Sequence, residues 1–249
     1  MIIDSVIADA GGLTSYANSV CRMTETQEYA ATTSLVDDLQ EQAILEQILD
    51  EFKPSYADGT QQLHYLISTP FRYPPLAYGS RFGTTLEPSY FYASESIATC
   101  LAEAAFYRFY LIEGTETPFP KKIQTQHSLF FVDVLSANTL DLTKIEDKDI
   151  QQQLTNPESY ALTQQIGNHG RINGMDLIRY YSARSEQNGI NVAIDNHRVI
   201  QSTTPQDKIE YICQLNPQTG VIRFSQPRTF PVTYTKQQFL VAGHMPKIG

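Results

Sequence analysis

The chain has 249 residues, 41% hydrophobic and 18% charged, which is the composition of a globular protein with a sizeable core. Its formal net charge of -9 argues against a protein that binds nucleic acid by neutralising phosphates with clustered Lys and Arg. No apolar run approaches the roughly 20 residues that span a bilayer, and the N-terminus lacks a basic region, so we expect a soluble cytoplasmic protein.

Residues 1–60 differ in composition from the rest and are predicted to form an N-terminal helical extension. Between Thr24 and Phe52, apolar residues recur at spacings of three and four among Glu, Gln and Asp, which predicts an amphipathic helix or helix pair. Pro54 and the Asp58-Gly59 pair end this pattern. The apolar face of the helix could bind a partner or pack onto its own domain.

Residues 61–249 mix strands and helices without regular alternation, which favours an α+β domain with mostly antiparallel sheets and flanking helices. Strands are predicted at His64–Ile67, Ser89–Ala93, Ser128–Leu135, Leu177–Tyr181 and Asn191–Asp195, followed by a hairpin of Ile209–Leu215 and Val221–Phe224. Helices are predicted at Ser96–Ile112, Glu146–Leu154 and Glu158–Gly167. The chain contains no G-x-G-x-x-G or G-x-x-x-x-G-K motif, which excludes the common nucleotide-binding architectures.

Glu103 is the only acid of the predicted helix Ser96–Ile112, whose other residues are mostly apolar or aromatic. Burying a carboxylate costs several kcal/mol unless a partner compensates. Glu103 could therefore be exposed, or form a salt bridge with Arg108 or another arginine. Alternatively, its carboxylate faces a sugar hydroxyl or a developing oxocarbenium ion, where negative charge stabilises the transition state.

Arg72 and Arg81 lie on either side of a loop rich in Pro and Gly. The planar guanidinium fork fits phosphate oxygens, so the two residues together suggest a pyrophosphate clamp, although each alone could be a surface charge. Tyr73 and Tyr92 could stack on a planar base or bind a ribose, or simply pack in the core. Ser182 ends a predicted strand and on its own indicates little.

The histidines and cysteines suggest no metal centre or disulfide. The histidines are His64, His127, His169, His197 and His244; none lies in a metal-ligand pair or a nucleophile motif, and we treat them as structural. The cysteines Cys21, Cys100 and Cys213 form no C-x-x-C pair. We therefore predict no metal and no tightly bound cofactor.

Several separated motifs together resemble the RES domain, a family named for its Arg, Glu and Ser. The resemblance covers roughly Leu63 to Pro231 and is carried by FRYPP, GSRFGTTLEPSYFYASESIATCLAE, NGMDLIRYYSAR and NVAID. It implies a fold similar to ADP-ribosyltransferase toxins and a role as the toxin of a bacterial toxin-antitoxin pair. Residues 61–249 would then be an NAD-processing domain.

The resemblance also implies site residues. Arg72 and Tyr73 match the arginine-tyrosine pair of the family pocket, Arg81 its second arginine, and Tyr92 its strand tyrosine; these four would bind NAD or phosphate. Glu103 and Ser182 match the family's glutamate and serine and, with Arg72, would be catalytic.

The function that the resemblance implies is cleavage of the nicotinamide N-glycosidic bond of NAD, by phosphorolysis or hydrolysis, with an Xre-type antitoxin as partner. NAD would be the substrate and inorganic phosphate an optional co-substrate. Two alternatives stay open: transfer of ADP-ribose to a protein, and a catalytically silent module that binds a nucleotide or a partner. The sequence leaves the acceptor and self-association open.

Overall fold

The structure is a computed structural model that describes residues 2–26, 36–116, 119–186 and 188–248. Within these ranges the helices are α1 (Ile2–Asp9), α2 (Leu39–Glu51), α3 (Tyr65–Arg72), α4 (Ile97–Glu113), α5 (Lys148–Leu154) and α6 (Ala161–Ile172). The strands are β1 (Leu13–Glu25), β2 (Phe91–Ser94), β3 (Ile123–Asp141), β4 (Leu177–Tyr181), β5 (Ile190–Ile194), β6 (Lys208–Asn216), β7 (Val221–Ser225) and β8 (Val232–Thr235).

The eight strands form one sheet in the order β1-β2-β5-β4-β3-β6-β7-β8, and β1 also pairs with β3. The first five strands therefore close into a ring, while β6, β7 and β8 extend outward from the first half of β3. The β3–β4 pairing is parallel and the other strand pairings are antiparallel. The predicted α+β class with a mostly antiparallel sheet is confirmed.

Helix α4 packs on the core with one face and faces a cleft with the other. Ser96 begins the helix, and its side chain accepts a hydrogen bond from the backbone N–H of Thr99. One face buries Leu101, Ala105, Phe106 and Phe109 in a hydrophobic cluster that also contains residues of β6 and β7. This packing fixes the helix and leaves its opposite face toward a cleft.

Residues 13–25 form strand β1, so the prediction of a purely helical extension over residues 1–60 is wrong in this segment. The strand pairs with β3 from Leu13 opposite Leu140 to Glu25 opposite His127. Its own sequence lacks a clear alternation of apolar and polar residues. Pairing with a strand more than 100 residues further along the chain, rather than local pattern, therefore determines its conformation.

The predicted amphipathic helix is confirmed at α2, whereas residues 27–35 of the same prediction lie outside the described residues. The apolar side chains Leu39, Ile44, Ile48 and Phe52 are exposed. The helix therefore does not bury this face against the described part of the chain. Partner binding by α2 stays a prediction.

The strand predicted at His64–Ile67 is wrong, because these residues begin helix α3. The His64 Nδ1 atom accepts a hydrogen bond from the backbone N–H of Leu66 and caps the helix. Leu66 and Ile67 are buried, and Phe71 stacks against Phe91 of β2. The short run looks like a strand in the sequence, although its apolar residues also have the spacing of three to four residues that is typical of a helix.

The edge strand β8 was not predicted, whereas the predicted β6–β7 hairpin is confirmed.

Candidate active site

A cleft of about 500 Å³ lies between α4, the end of β1, β2 and the turn that contains Arg81. Helix α4 contributes residues at spacings of three and four to its wall: Cys100, Glu103, Ala104, Tyr107, Arg108 and Leu111. These spacings place the residues on one helix face. The volume is within the range of small-molecule sites in proteins.

Glu103 lines this cleft, and one of its carboxylate oxygens is fixed by two hydrogen bonds. Ser182 Oγ donates to Glu103 Oε1 at 2.6 Å, and Asn191 Nδ2 donates to the same atom at 2.7 Å. Arg108 forms its salt bridge with Glu25 instead, at 2.8 Å. Among the described residues, none donates to Glu103 Oε2, so this oxygen is available to a ligand.

The buried pair Ser94 and Asn191 holds the amide that faces Glu103. Ser94 Oγ donates to Asn191 Oδ1 at 2.6 Å, which leaves the amide N–H groups as donors to the carboxylate. Ser94 ends β2 and Asn191 follows the first residue of β5, opposite it in the antiparallel register. Asn191 was not predicted as a site residue, although it is the only polar side chain of the strand INVAI.

Ser182 directly follows β4 and is buried. Besides donating to Glu103, its hydroxyl oxygen accepts hydrogen bonds from the backbone N–H groups of Arg184 and Ser185, at 3.0 and 3.2 Å. The hydroxyl proton is thereby directed to the carboxylate. The structure thus brings Ser182 and Glu103 together.

Arg81 lines the cleft and is held by backbone carbonyls rather than by a carboxylate. Its Nη1 donates to the carbonyl oxygens of Leu154 and Asn156, at 3.0 and 3.2 Å. Its guanidinium carbon lies 4.7 Å from the centroid of the Tyr160 ring. These contacts fix the guanidinium plane and leave its positive charge without a carboxylate partner among the described residues.

Tyr92 also lines the cleft, where it fixes the Arg81 turn. Its hydroxyl donates to Ser80 Oγ at 2.9 Å and accepts from the backbone N–H of Phe82 at 3.1 Å. Burial raises the pKa of Tyr92 to about 12, so the phenol is neutral at physiological pH. Tyr92 therefore contacts the residues on both sides of Arg81.

The buried phenol of Tyr180 experiences the charges of both Glu103 and Arg81. Burial raises the pKa of Tyr180 well above its ordinary value, the charge of Glu103 raises it further, and the charge of Arg81 opposes the shift. The predicted acid and one predicted arginine therefore lie on the same cleft, around a neutral tyrosine.

Besides Arg108, which pairs with Glu25, the arginines Arg22 and Arg184 line the cleft and were not predicted as site residues. Arg184 is buried, donates to the carbonyl of Pro157 at 2.9 Å, and lies 3.5 Å from the centroid of the Phe106 ring. Arg22 extends from β1 and donates through Nη1 to the carbonyl of Tyr92 at 2.5 Å. Its buried Nε has no hydrogen-bond partner in the described part of the protein.

Burial lowers the pKa of Arg22, and no carboxylate contributes to the shift. A buried cation without a counter-ion is costly. Such a site is suited to an anionic ligand that would supply the missing negative charge.

Arg72 and Tyr73 are placed differently from the predicted clamp. Arg72 ends α3, donates through Nε to the carbonyl of Pro54, and lies over the ring of Tyr56, 4.1 Å from its centroid. Neither Arg72 nor Tyr73 lines the cleft. The structure therefore brings together Arg81, Tyr92, Glu103 and Ser182, and the same cleft also contains Arg22 but not Arg72.

The remaining ionisable groups of the cleft show no metal centre. Across residues 2–26, 36–116, 119–186 and 188–248, no group of three or more His, Cys, Asp or Glu side chains is placed to hold a metal ion. Cys21 and Cys100 line the cleft as free, buried thiols, and His127 lines it as a buried imidazole.

No helix in the described ranges is long and apolar enough to cross a membrane.

The fold is mixed α+β, and its cleft is lined by the arginines Arg22, Arg81, Arg108 and Arg184 together with Glu103. The family model described as RES domain matches residues 57–214, more than half of the chain, so the protein belongs to the RES domain family. No curated protein matches the sequence. A similar solved structure is a chain of the M. tuberculosis MbcT–MbcA toxin-antitoxin complex, with 12% identity, a TM-score of 0.46, and coverage of 87% of this chain and 93% of that chain.

Proposed function

We propose that the protein cleaves the nicotinamide N-glycosidic bond of NAD. The observation that supports this proposal most directly is the oriented carboxylate of Glu103, whose Oε2 receives no hydrogen bond from the described residues. The same cleft contains Arg22, Arg81 and Arg184, none of them paired with a described carboxylate. An acid beside several cations suits a substrate that carries phosphates and develops positive charge at a sugar carbon.

In the proposed reaction, the bond between the ribose anomeric carbon and the pyridinium nitrogen breaks. The bonding electron pair moves to that nitrogen, which neutralises the ring, and positive charge develops on the ribose. Glu103 stabilises this charge through Oε2, while Ser182 and Asn191 hold Oε1 and prevent the carboxylate from rotating. The acceptor oxygen then forms a bond to the anomeric carbon, and, where the acceptor is water, its extra proton leaves to solvent.

The arginines have a different task in this proposal. Arg22 has a partly unsatisfied guanidinium and supplies charge to the pyrophosphate or to an incoming phosphate. Arg81 is fixed by two backbone carbonyls, so little side-chain entropy is lost when its guanidinium binds a phosphate. The neutral phenols of Tyr92 and Tyr180 contribute hydrogen bonding and shape rather than charge.

We also propose that NAD depletion arrests growth and that an Xre-type antitoxin neutralises the protein. Membership of the RES domain family supports this role. The open Glu103 cleft gives a partner a simple means of inhibition, because occupying it would exclude substrate. Co-expression with a candidate Xre-type antitoxin, scored by growth and by cellular NAD, tests this part separately from the chemistry.

The reaction is tested by incubating the purified protein with NAD and measuring released nicotinamide, with and without inorganic phosphate. We expect release by the wild type and a loss of at least about 100-fold in Glu103→Gln, since removing a catalytic charge typically costs this much. Glu113→Gln is the matched control, because Glu113 ends the same helix but contacts Lys236 at the surface. Absence of nicotinamide release by the wild type would reject the proposed reaction, and equal release by wild type and Glu103→Gln would reject the role of Glu103.

The products distinguish the acceptors. Stimulation by phosphate with formation of ADP-ribose 1-phosphate indicates phosphorolysis, and phosphate-independent ADP-ribose indicates hydrolysis. Label from NAD that appears in a protein band of a lysate indicates ADP-ribosyl transfer instead. NAD binding in calorimetry without any of these products would leave only the silent binding module.

A further inference from the structure

Helix α2 presents a row of large apolar side chains to solvent. Four of them stand at positions i, i+3, i+4 and i+7, which the helical period places on one face: Leu45, Ile48, Leu49 and Phe52. Phe52 directly follows α2 and continues its hydrogen-bonding pattern, because its backbone N–H donates to the carbonyl of Ile48 at 3.3 Å. Ile48, Leu49 and Phe52 are 45%, 47% and 84% exposed, respectively. We call these four residues the apolar stripe.

The charge of α2 is negative along its whole length. The helix contains four acidic residues and no lysine or arginine. Its period places Glu46 and Glu51 on opposite flanks of the apolar stripe. An apolar stripe between carboxylates suits an apolar surface that is edged by cations, because charges at the rim of an interface select the partner.

We propose that the apolar stripe is a docking surface for a partner protein, and that the occupant is an amphipathic helix whose apolar face is flanked by lysine or arginine. A contiguous apolar surface exposed to water and edged by polar groups is typical of such interaction sites. The proposal goes beyond the proposed function and does not depend on it, because no residue of α2 lines the Glu103 cleft.

Charge and area both argue against a second copy of this chain as the occupant. Two α2 helices packed on each other would bring like charges together, which is destabilising. A helix of 13 residues offers a strip roughly 20 Å long and about 10 Å wide, or roughly 200 Å². A stable interface buries roughly 800 Å² per partner. The apolar contact is therefore too small to offset the repulsion, whereas a basic partner adds attraction to it.

The segment that follows α2 is anchored to the rest of the domain. Arg72 of α3 donates to the carbonyl of Pro54, and its guanidinium carbon lies 4.1 Å from the centroid of the Tyr56 ring. These contacts fix the chain shortly after Phe52. A partner helix on the apolar stripe would therefore be held close to α3.

The test titrates the purified full chain with a labelled synthetic helix of about four turns, with leucine on one face and lysine on the other. Fluorescence anisotropy measures its binding. We expect Ile48→Glu to bind the peptide at least about tenfold more weakly than the wild type, because a central apolar anchor is lost. Glutamate keeps the helix propensity high and makes α2 more acidic, so attraction by charge alone would strengthen binding instead.

Phe230→Glu is the matched control for Ile48→Glu. It adds the same charge at a 97% exposed ring outside α2 and should bind the peptide as well as the wild type does. Thermal denaturation should give the same melting temperature for the wild type and Ile48→Glu, because Ile48 is exposed.

The contribution of charge is measured separately. The double variant Glu46→Gln, Glu51→Gln should bind the peptide roughly threefold more weakly, as the loss of two exposed ion pairs predicts. Glu146→Gln, at an exposed position outside α2, should have no effect. A second peptide with glutamate in place of lysine should not bind.

Three results would overturn the proposal. Equal binding of the peptide by the wild type and Ile48→Glu would show that charges elsewhere on the chain attract it. Self-association of the wild type in sedimentation, lost in Ile48→Glu, would assign the apolar stripe to a second copy. Binding to phosphatidylcholine vesicles that depends on Ile48, without binding of the peptide, would assign the stripe to a membrane surface.

Discussion

Ser182 Oγ lies 2.6 Å from Glu103 Oε1, although the two residues are 79 positions apart in the sequence. Ser182 is positioned by the end of β4, and Glu103 by the packing of α4 on the core. Asn191 reaches the same oxygen from β5, the neighbour of β4 in the sheet. The carboxylate is therefore oriented by two strands that are themselves held in register.

Removing either donor should lower the turnover of NAD with little change in KM. We expect Ser182→Ala and Asn191→Ala each to reduce kcat roughly tenfold, because each removes a hydrogen bond to a charged group. Since both bonds fix the same oxygen, the double variant should lose less than the product of the two single losses. Steady-state kinetics on the four proteins measure this coupling, and fully multiplicative losses would contradict a shared role.

Arg22→Met should stabilise the protein while weakening substrate binding. The guanidinium is buried with an unsatisfied Nε and without a described carboxylate partner, so its removal relieves a desolvation cost of roughly 1–3 kcal/mol. The same change should raise KM for NAD at least tenfold, because a phosphate contact is lost. Urea denaturation and steady-state kinetics give the two readouts.

Arg223→Met is the matched control for Arg22, since Arg223 is exposed on β7. It should leave both stability and KM near the wild-type values. A destabilised Arg22→Met variant with normal KM would show that Arg22 has a structural role only.

The contrast between Arg22 and Glu103 shows what the sequence could predict. Glu103 stands out locally, as the only acid between Ile97 and Ile112 in a capped, mostly apolar helix, and Arg81 and Ser182 stand in recognisable motifs. Arg22 has no local signal, because the strand that carries it forms only by pairing with β3, where Arg22 lies opposite Phe130. Its place in the cleft depends on contacts more than 100 residues away in sequence.

Arg72 illustrates the opposite case, because a sequence signal suggested a site position that the cleft does not include. It stands near Arg81 in the sequence, and this proximity suggested one phosphate clamp. Arg72 instead ends α3, whose buried side chains pack around Phe91, and its own side chain contacts Tyr56 and Pro54. Two residues that are close in the sequence can therefore lie in different parts of the fold.

The lone polar residue of β5, Asn191, was a local signal that the prediction did not use.

Gly167→Ala should displace the turn that presents Arg81. A Cβ atom at Gly167 would lie 1.9 Å from the backbone oxygen of Phe82, the residue after Arg81. Backbone would have to move, so we expect a loss of about 1–3 kcal/mol in stability and a clear loss of activity. Thermal denaturation and the nicotinamide assay measure the two effects.

Gly114→Ala is the control for this substitution. Gly114 has a right-handed backbone conformation, and the atom nearest to the added methyl group would be 3.6 Å away. This variant should be neutral or slightly stabilised. If both variants behaved alike, close packing of α6 on the Arg81 turn would not matter for the site.

His127 should make the folding stability depend on pH. Burial lowers its pKa from 6.5 to about 4, and the nearby positive charge of Arg108 adds to the shift. As the pH falls below 6.5, the unfolded chain binds a proton at this residue while the folded protein does not until about pH 4. The contribution of His127 is therefore full above pH 6.5 and decreases between these two values, by up to about 3 kcal/mol.

The measurement is the difference in unfolding free energy between pH 7 and pH 4.5 in the wild type and in His127→Gln. We expect the variant to lose less stability over this interval, whatever its stability at pH 7, because the glutamine does not titrate. His244→Gln, at an exposed position, should show the wild-type pH dependence. An identical pH dependence in wild type and His127→Gln would mean that His127 has the same pKa in the folded and unfolded states. Its burial beside Arg108 would then not control the acid sensitivity of the protein.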